Sequence, residues 1–470
     1  MAIINQVIAT AIVSGLCFML GVSFTWPSST MGLFTSPDTP LNRMMTEFEV
    51  SLLGSLSCIS AVLTLPFTGI LMEKFGRKYT CFVLYAMQMI SWTIVISINY
   101  VEAILLSIFI SGITSCTLLF IPLYVSEFCQ ESIRGSMASS VLMFFGFGML
   151  TSYLMGGLLA YNVMNYISLG LAASGSLLIF LVKDSALYLM TQGREREAAL
   201  SVAHYKSLNV NSKEVENEIE HIRKLLNTEF DDAITPEEET LKPEFKRKEK
   251  LSIWRFLKKS RSSRRALLVC LVLYTATVFQ GLVVVQVYAA PLFSKAVPSM
   301  SATVSSVVFA IVTIVAGMIA AYLVEVLGRK PLMVHSSIVA AVCCILLATQ
   351  IQFEWGPNWI TAVFIYLFCI FYTIGAGTIP YIYCAEVFLP EIKSFASLFA
   401  MEWAFIGFFI VLFIFNPLVN YIGLGGVFYI FAAVCLLTAI FCAFFMPETK
   451  GLTVDVIQLQ FAKPRSQNKA

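Results

Sequence analysis

Long apolar runs alternate with short polar breaks along almost the whole chain. A membrane-spanning helix needs roughly 20 mostly apolar residues. Such runs lie near 7–25, 48–72, 79–99, 102–124, 136–160 and 165–183, then near 266–291, 302–324, 331–352, 359–385, 394–420 and 425–446. That is six spans, a polar interruption and six more. Within the interruption the pattern predicts a short helix over 186–206 and an amphipathic helix over 212–226. Val215, Ile219, Ile222 and Leu226 of the second share one face by their four-three-four spacing. Asn211 is placed to cap it, with Glu214 in its first turn. Ile253, Trp254, Phe256 and Leu257, beside Arg255, Lys258 and Lys259, predict an interfacial helix against anionic membrane lipid.

Composition agrees with spanning helices. The 470 residues are 58% hydrophobic and 13% charged, with mean hydropathy +0.80, the balance of an integral membrane protein. A net charge of +2 gives no footprint for nucleic acid. The bases set orientation instead. With both termini cytosolic, only Arg43 and Lys295 of the 31 Lys and Arg fall outside, leaving 31 − 2 = 29 inside. The positive-inside rule therefore predicts cytosolic termini and a cytosolic interruption. All 12 cysteines sit in apolar runs or at their cytosolic edges, so no disulfide framework is expected. His204, His221 and His335 are scattered, and neither a metal nor a cofactor is expected. The interruption offers no nucleophile–base pair or phosphate loop, so an enzyme is not expected. The first run is too long for a signal peptide and reads as a helix that stays.

The polar breaks repeat. Glu73-Lys74-Phe75-Gly76-Arg77-Lys78 returns 252 residues on (325 − 73) as Glu325-Val326-Leu327-Gly328-Arg329-Lys330, each copy between two spans. The fourth span ends Pro122-Leu123-Tyr124-Val125-Ser126-Glu127, with Arg134-Gly135 seven residues after the acid. The tenth ends Pro380-Tyr381-Ile382-Tyr383-Cys384-Ala385-Glu386, with Lys393 again seven residues on. Pro447-Glu448-Thr449-Lys450-Gly451 follows the last span. Duplicated halves of this kind are how many secondary transporters are built.

On these motifs the chain resembles the major facilitator superfamily and, within it, the sugar porter family. The resemblance implies an all-α membrane protein of 12 helices in two pseudo-symmetric six-helix bundles with the pathway between them. It divides the chain into a first bundle at 1–183, a cytosolic helical linker at 184–264, a second bundle at 265–450 and a cytosolic tail at 451–470. It places a gate at Glu73, Arg77, Glu127, Arg134, Glu325, Arg329, Glu386 and Lys393, whose charges would pair across the bundles when the inner side shuts. One family signature, Pro-Glu-Ser-Pro-Arg-Tyr-Leu, is here Lys183-Asp184-Ser185-Ala186-Leu187-Tyr188-Leu189, which keeps an acid and loses the base at Leu187.

The substrate positions depart further. Anchored on Gly281 and Tyr288, the family's two glutamines become Thr277 and Val278 and its asparagine becomes Val283, with Gln280 as an offset polar group. Leu142 stands where glutamine is common, Thr313 replaces an asparagine, Tyr381 replaces a stacking tryptophan, and Asn-Trp becomes Glu402-Trp403. Sugar hydroxyls need partners when buried, so a glucose-like pose cannot be copied over. Glu402 is the one acid deep inside an apolar run, nine residues beyond Lys393, about 13 Å along a helix axis. No Lys or Arg lies in any span to pair with it, so it should face the central cavity, be protonated, or both.

The expected function is facilitated transport of a sugar, trehalose- or hexose-like, across the plasma membrane. The short first outer loop, 27–46, and the overall pattern most resemble the facilitated trehalose transporters. Ser23, where proton-coupled relatives carry aspartate, favours uniport. The rival readings are a different polar or cationic solute, proton coupling through Glu402, and a nutrient sensor that moves nothing.

Overall fold

The computed structural model describes residues 2–231 and 260–462, so the expected interfacial helix at 253–259 lies outside the described residues. Eleven helices among them are long and apolar enough to cross a membrane. The first bundle holds α1 (Ala2–Phe34), α2 (Glu47–Phe75), α3 (Arg77–Ser97), α4 (Val101–Phe128), α5 (Ser132–Leu158) and α6 (Tyr161–Leu181). The polar segment supplies α7 (Ala186–Thr191), α8 (Glu195–Lys206) and α9 (Lys213–Asp231). The second bundle holds α10 (Arg261–Val287), α11 (Ala289–Ala296), α12 (Ala302–Leu327), α13 (Arg329–Phe353), α14 (Trp359–Val387) and α15 (Ile392–Phe445), and α16 (Val454–Ala462) ends the chain. At 54 residues α15 would run about 81 Å, against a hydrocarbon core of roughly 30 Å. It bends at Gly423, whose φ of 76° and ψ of 164° are not helical. Twelve spans were expected; among the described residues eleven are found, the longest of them bent here.

Local chemistry sets the boundaries. Thr46 opens α2 with a capping box: its hydroxyl accepts from Glu49 N while the Glu49 carboxylate accepts from Thr46 N. The duplicated turns match in conformation as well as in sequence. Gly76 has φ 88° and ψ 166°, and Gly328 has φ 89° and ψ 169°. That left-handed region favours glycine, which explains why the repeat keeps Gly in both copies.

Several expectations need correcting. The first outer loop begins later than 27, because α1 continues through Pro27 to Phe34. The helix expected over 186–206 is two helices, α7 and α8, separated at Gly193 with φ 72°. Ser212, rather than Asn211, caps α9, accepting from Val215 N at 3.4 Å. Two spans read as continuous are broken inside, α10 at Gln280–Gly281 and α14 over 375–378.

The main seams between the bundles are α2 against α15 and α5 against α12, and α1 also meets the end of α10 and α11. The linker helices are not free-standing. Tyr188, Leu189, Ala198, Val202, Val215 and Ile219 form their own small core. Gln6 donates to Tyr205 O, Asn5 to His204 O, and Ser201 to Asp184 O, tying α8 to the first bundle. The expected tail is likewise docked through α16, where Gln458 donates to Val387 O and Arg265 to Phe461 O.

Candidate functional site

The two glycine turns and the chain segments around them define one face of the molecule, here the basic face. In the first bundle Arg77 at the start of α3 reaches Glu127 at the end of α4, with Nη2 to Oε1 at 2.9 Å and Nε to Oε2 at 3.1 Å. Its guanidinium lies over the Tyr188 ring at 5.5 Å. Asp184 Oδ1 accepts from Lys78 N and Ser185 N, so it covers the start of α3. Burial pushes the Asp184 carboxyl above the usual range despite those donors. A Cβ on Gly76 would sit 2.6 Å from Tyr188 Cε1, so glycine also makes room for this docking.

The second bundle repeats the design. Arg329, 6% exposed, reaches Glu386 with Nη2 to Oε1 at 2.6 Å and Nε to Oε2 at 3.2 Å, and meets Glu325 at 3.0 Å. Glu448 stands in the place of Asp184. Its carboxylate accepts four backbone N–H groups, from Arg329, Lys330, Thr449 and Lys450, at 2.9–3.0 Å. Burial alone would push this carboxyl up, but the four donors outweigh it and hold it below the usual range. Thr449 Oγ1 adds a donor to Glu386 Oε2 at 2.6 Å. Each bundle therefore closes its own charged cluster, and no ion pair joins the two among the described residues. Of the expected gate residues, Arg77, Glu127, Glu325, Arg329 and Glu386 are paired within their bundles. Glu73, Arg134 and Lys393 have no ion pair among the described residues.

The opposite face is different. Among the described residues, every hydrogen bond between the bundles lies there: Tyr153 Oη to Gln286 O, Ala290 N to Ser28 Oγ at 2.8 Å, and Asn420 Nδ2 to Glu47 Oε2 at 3.2 Å. Phe48 meets Phe413 edge-on at 5.6 Å. Tyr288, fully buried, donates to Leu412 O and stands against Gly54, where a Cβ would come within 2.5 Å of its hydroxyl. Gly146 admits Ile314 and Gly157 admits Thr303 in the same way across the other seam. Small residues let the bundles approach closely on this face. Beside that closure, Ser29, Tyr153, Thr303 and Ser306 line a polar recess of about 180 Å³. The bundles are bonded to each other on the far side, and among the described residues no hydrogen bond or ion pair joins them on the basic face.

A family model described as "Sugar (and other) transporter" matches residues 10–461. The chain belongs to that family.

Among its relatives is a facilitated trehalose transporter, Tret1, of Bombyx mori, 25% identical over 88% of this chain and 80% of its own. The Tret1 of Polypedilum vanderplanki is 24% identical over 97% of this chain and 88% of its own. Among solved structures, the inward-open form of the xylose transporter XylE from E. coli superposes with a TM-score of 0.76 at 17% identity, covering 96% of this chain and 98% of that one. The fold is that of the major facilitator superfamily, and the protein is a transporter rather than an enzyme.

The substrate candidates fall into distinct settings within this transporter fold. Thr277 Oγ1 lies 2.9 Å from Ala376 O and 3.0 Å from Leu273 O, while Tyr372 Oη donates to Thr277 O. Thr277 thus clamps the broken part of α10 to the broken part of α14. Gln280, at the α10 break, is fully buried with neither amide atom partnered. Thr313 is half-buried, bonded to Phe309 O at 2.8 Å and lying 3.1 Å from Cys369 Sγ. Tyr381 is half-buried and meets Tyr274 edge-on at 5.2 Å. Trp403 is exposed and donates to Thr275 Oγ1 at 2.9 Å. Glu402 is half-buried, and no hydrogen bond or ion pair reaches its carboxylate among the described residues.

Sequence reasoning assigned no role to Tyr288 and Gly54. Tyr288 carried a signal as a large aromatic just beyond the α10 break, but Gly54 carried none until the opposing side chain was placed. Glu448 was noted only as part of a motif, and its capping role needs the folded turn.

Proposed function

We propose that this chain carries a sugar of trehalose or hexose type across a plasma membrane by alternating access, as a uniporter, with the basic face and both chain ends in the cytosol. One observation carries the mechanism: among the described residues the bundles bond to each other only on the far face, while each keeps its charged cluster to itself on the basic face. Each cluster makes its bundle a rigid body, and the seams are where motion occurs. Rocking about the seams would break the Tyr288–Gly54 and Phe48–Phe413 contacts and bring the basic-face ends together. Arg134 and Glu386 then become cross-bundle partners and hold that face shut. An exposed pair is worth about 0–1 kcal/mol, which suffices to bias two states of similar energy.

A neutral, hydroxyl-rich solute fits the groups available, with Tyr381 on α14 to stack on a pyranose face and the unpartnered amide of Gln280 at the α10 break. The names of the Tret1 relatives support trehalose as the first solute to try. Uniport is supported at Ser23, which donates to Gln88 Oε1 at 2.9 Å while Gln88 Nε2 donates to Thr114 Oγ1 at 2.7 Å. That network is neutral and carries no proton-exchanging acid.

The test is uptake of labelled trehalose, glucose and an organic cation into vesicles holding the purified protein. Saturable equilibration of a sugar without accumulation is expected. Uptake of the cation alone would overturn the solute assignment, and no uptake of any would leave a sensor. For orientation, a cysteine at the exposed Gln192 should react with impermeant reagents only after cells are opened. Labelling of intact cells would reverse the topology.

A further inference from the structure

Glu402 lies on one line of α15 with Phe409, Phe413 and Asn420. Offsets of 7, 11 and 18 residues return to within about 20° at 3.6 residues per turn. Phe413 and Asn420 pack that line onto α2 through Phe48 and Glu47. Glu402 therefore faces the same seam, nearer the basic face, where no hydrogen bond joins α2 to α15 among the described residues. The two helices run antiparallel, so the positions of α2 in register with Glu402 are near Ile59, Val62 and Pro66.

Closing the basic face would reseal this seam as the far face is sealed now. The Glu402 carboxylate would then press against an apolar stretch with nothing to pair with. Other titratable groups on the helices packed against α15 do not answer the charge. On α2 there is Cys58 within the span, with Glu73 and Lys74 at its end. On α10 there are Cys270 and Tyr274, and at its start Arg261, Arg264 and Arg265. On α14 there are Tyr366, Cys369, Tyr372, Tyr381, Tyr383 and Cys384, with Glu386 already bound to Arg329. On α13 there are Cys343 and Cys344 within the helix and, near the basic face, Arg329, Lys330 and the exposed His335. Lys393 on α15 is nine residues away. Burying an unpaired carboxylate is costly enough that such groups neutralise instead.

We propose that Glu402 is a proton-binding site that must load before the basic face can close and that unloads when it reopens. The proton comes from the water in the open cleft and returns to it. No net proton crosses, so the step regulates a uniporter rather than driving a symporter. The inference rests on the alternating-access reading above and adds to it a requirement for acid on the basic side.

The test reads conformation without substrate. Hydrogen exchange of segments 59–70 and 393–405 is followed across pH in the intact protein in lipid discs, corrected for intrinsic exchange. In the parent protein, protection in both segments should be lost as pH rises through a single-proton transition. The closed-to-open ratio should fall about tenfold per pH unit above it. Glu402→Gln, neutral and of the same shape, should keep protection at all pH values. The same transition in Glu402→Gln, or none in the parent, would overturn the proposal. Sugar uptake measured on the same preparations separates the two claims: a pH transition without uptake faults the transport reading, and uptake without a transition faults only Glu402.

Discussion

Gly54→Ala is the sharpest perturbation of the far-face closure. The new Cβ would sit 2.5 Å from Tyr288 Oη, 2.9 Å from Cζ and 3.3 Å from Val287 Cγ1. Tyr288 cannot yield freely, being fully buried and bonded to Leu412 O at 2.9 Å. Overpacking of this size costs about 1–3 kcal/mol, and displacing the hydroxyl gives up a hydrogen bond worth about 0.5–1.5 kcal/mol. Together roughly 2–4 kcal/mol is lost from the state shut on the far face, and from that state alone, because rocking carries Tyr288 away from α2. At about 1.4 kcal/mol per factor of ten, the open-to-shut ratio of the far face should rise roughly 30- to 700-fold. Hydrogen exchange of segment 282–296 reads that ratio. Gly69→Ala on the same helix is the control, since nothing lies within 4 Å of the Cβ it would add. Equal exchange in both variants and the parent would refute the wedge of Tyr288 against α2 and the reasoning built on it.

Two further predictions concern the basic face. Arg329→Ala leaves Glu386 without its main partner at a largely buried site, so thermal unfolding in detergent should show a loss of roughly 3–5 kcal/mol, whereas Lys393→Ala should change stability by less than about 0.5 kcal/mol. Similar losses from both would mean the Arg329 cluster is not structural. Because Glu448 is held below the usual carboxylate range in the folded protein, its contribution is present above the unfolded value of about 4.3 and fades as pH falls through the folded value. Between about pH 5 and pH 2 the parent should therefore lose more stability than Glu448→Gln, and parallel curves would contradict the capping role.

Most of the architecture was legible in the sequence because hydrocarbon demands long apolar runs and internally bonded backbone. The repeat was legible because Gly76 and Gly328 need the same left-handed backbone. Breaks inside the spans were not. Gly281 and Gly375 interrupt runs whose hydropathy never drops, and only the facing Phe431 and Ser336 side chains show why no Cβ is tolerated there. The charged clusters were half legible. The acids and bases were found, but pairing within a bundle and pairing across bundles look alike in one dimension. Thr277 stood out as a polar group in a site position, whereas its neighbours in space make it a clamp between two broken helices.

The central claim is that the solute moves because the bundles rock about seams now shut on the far face. Phe48→Cys with Phe413→Cys puts one thiol on each side of the α2–α15 seam, where the two rings lie 5.6 Å apart. The native cysteines are all buried, so a reversible bis-thiosulfonate linker should favour the new pair. The account predicts that linking the pair stops sugar exchange in vesicles and that reductant restores it. Undiminished exchange with the linker in place would contradict it.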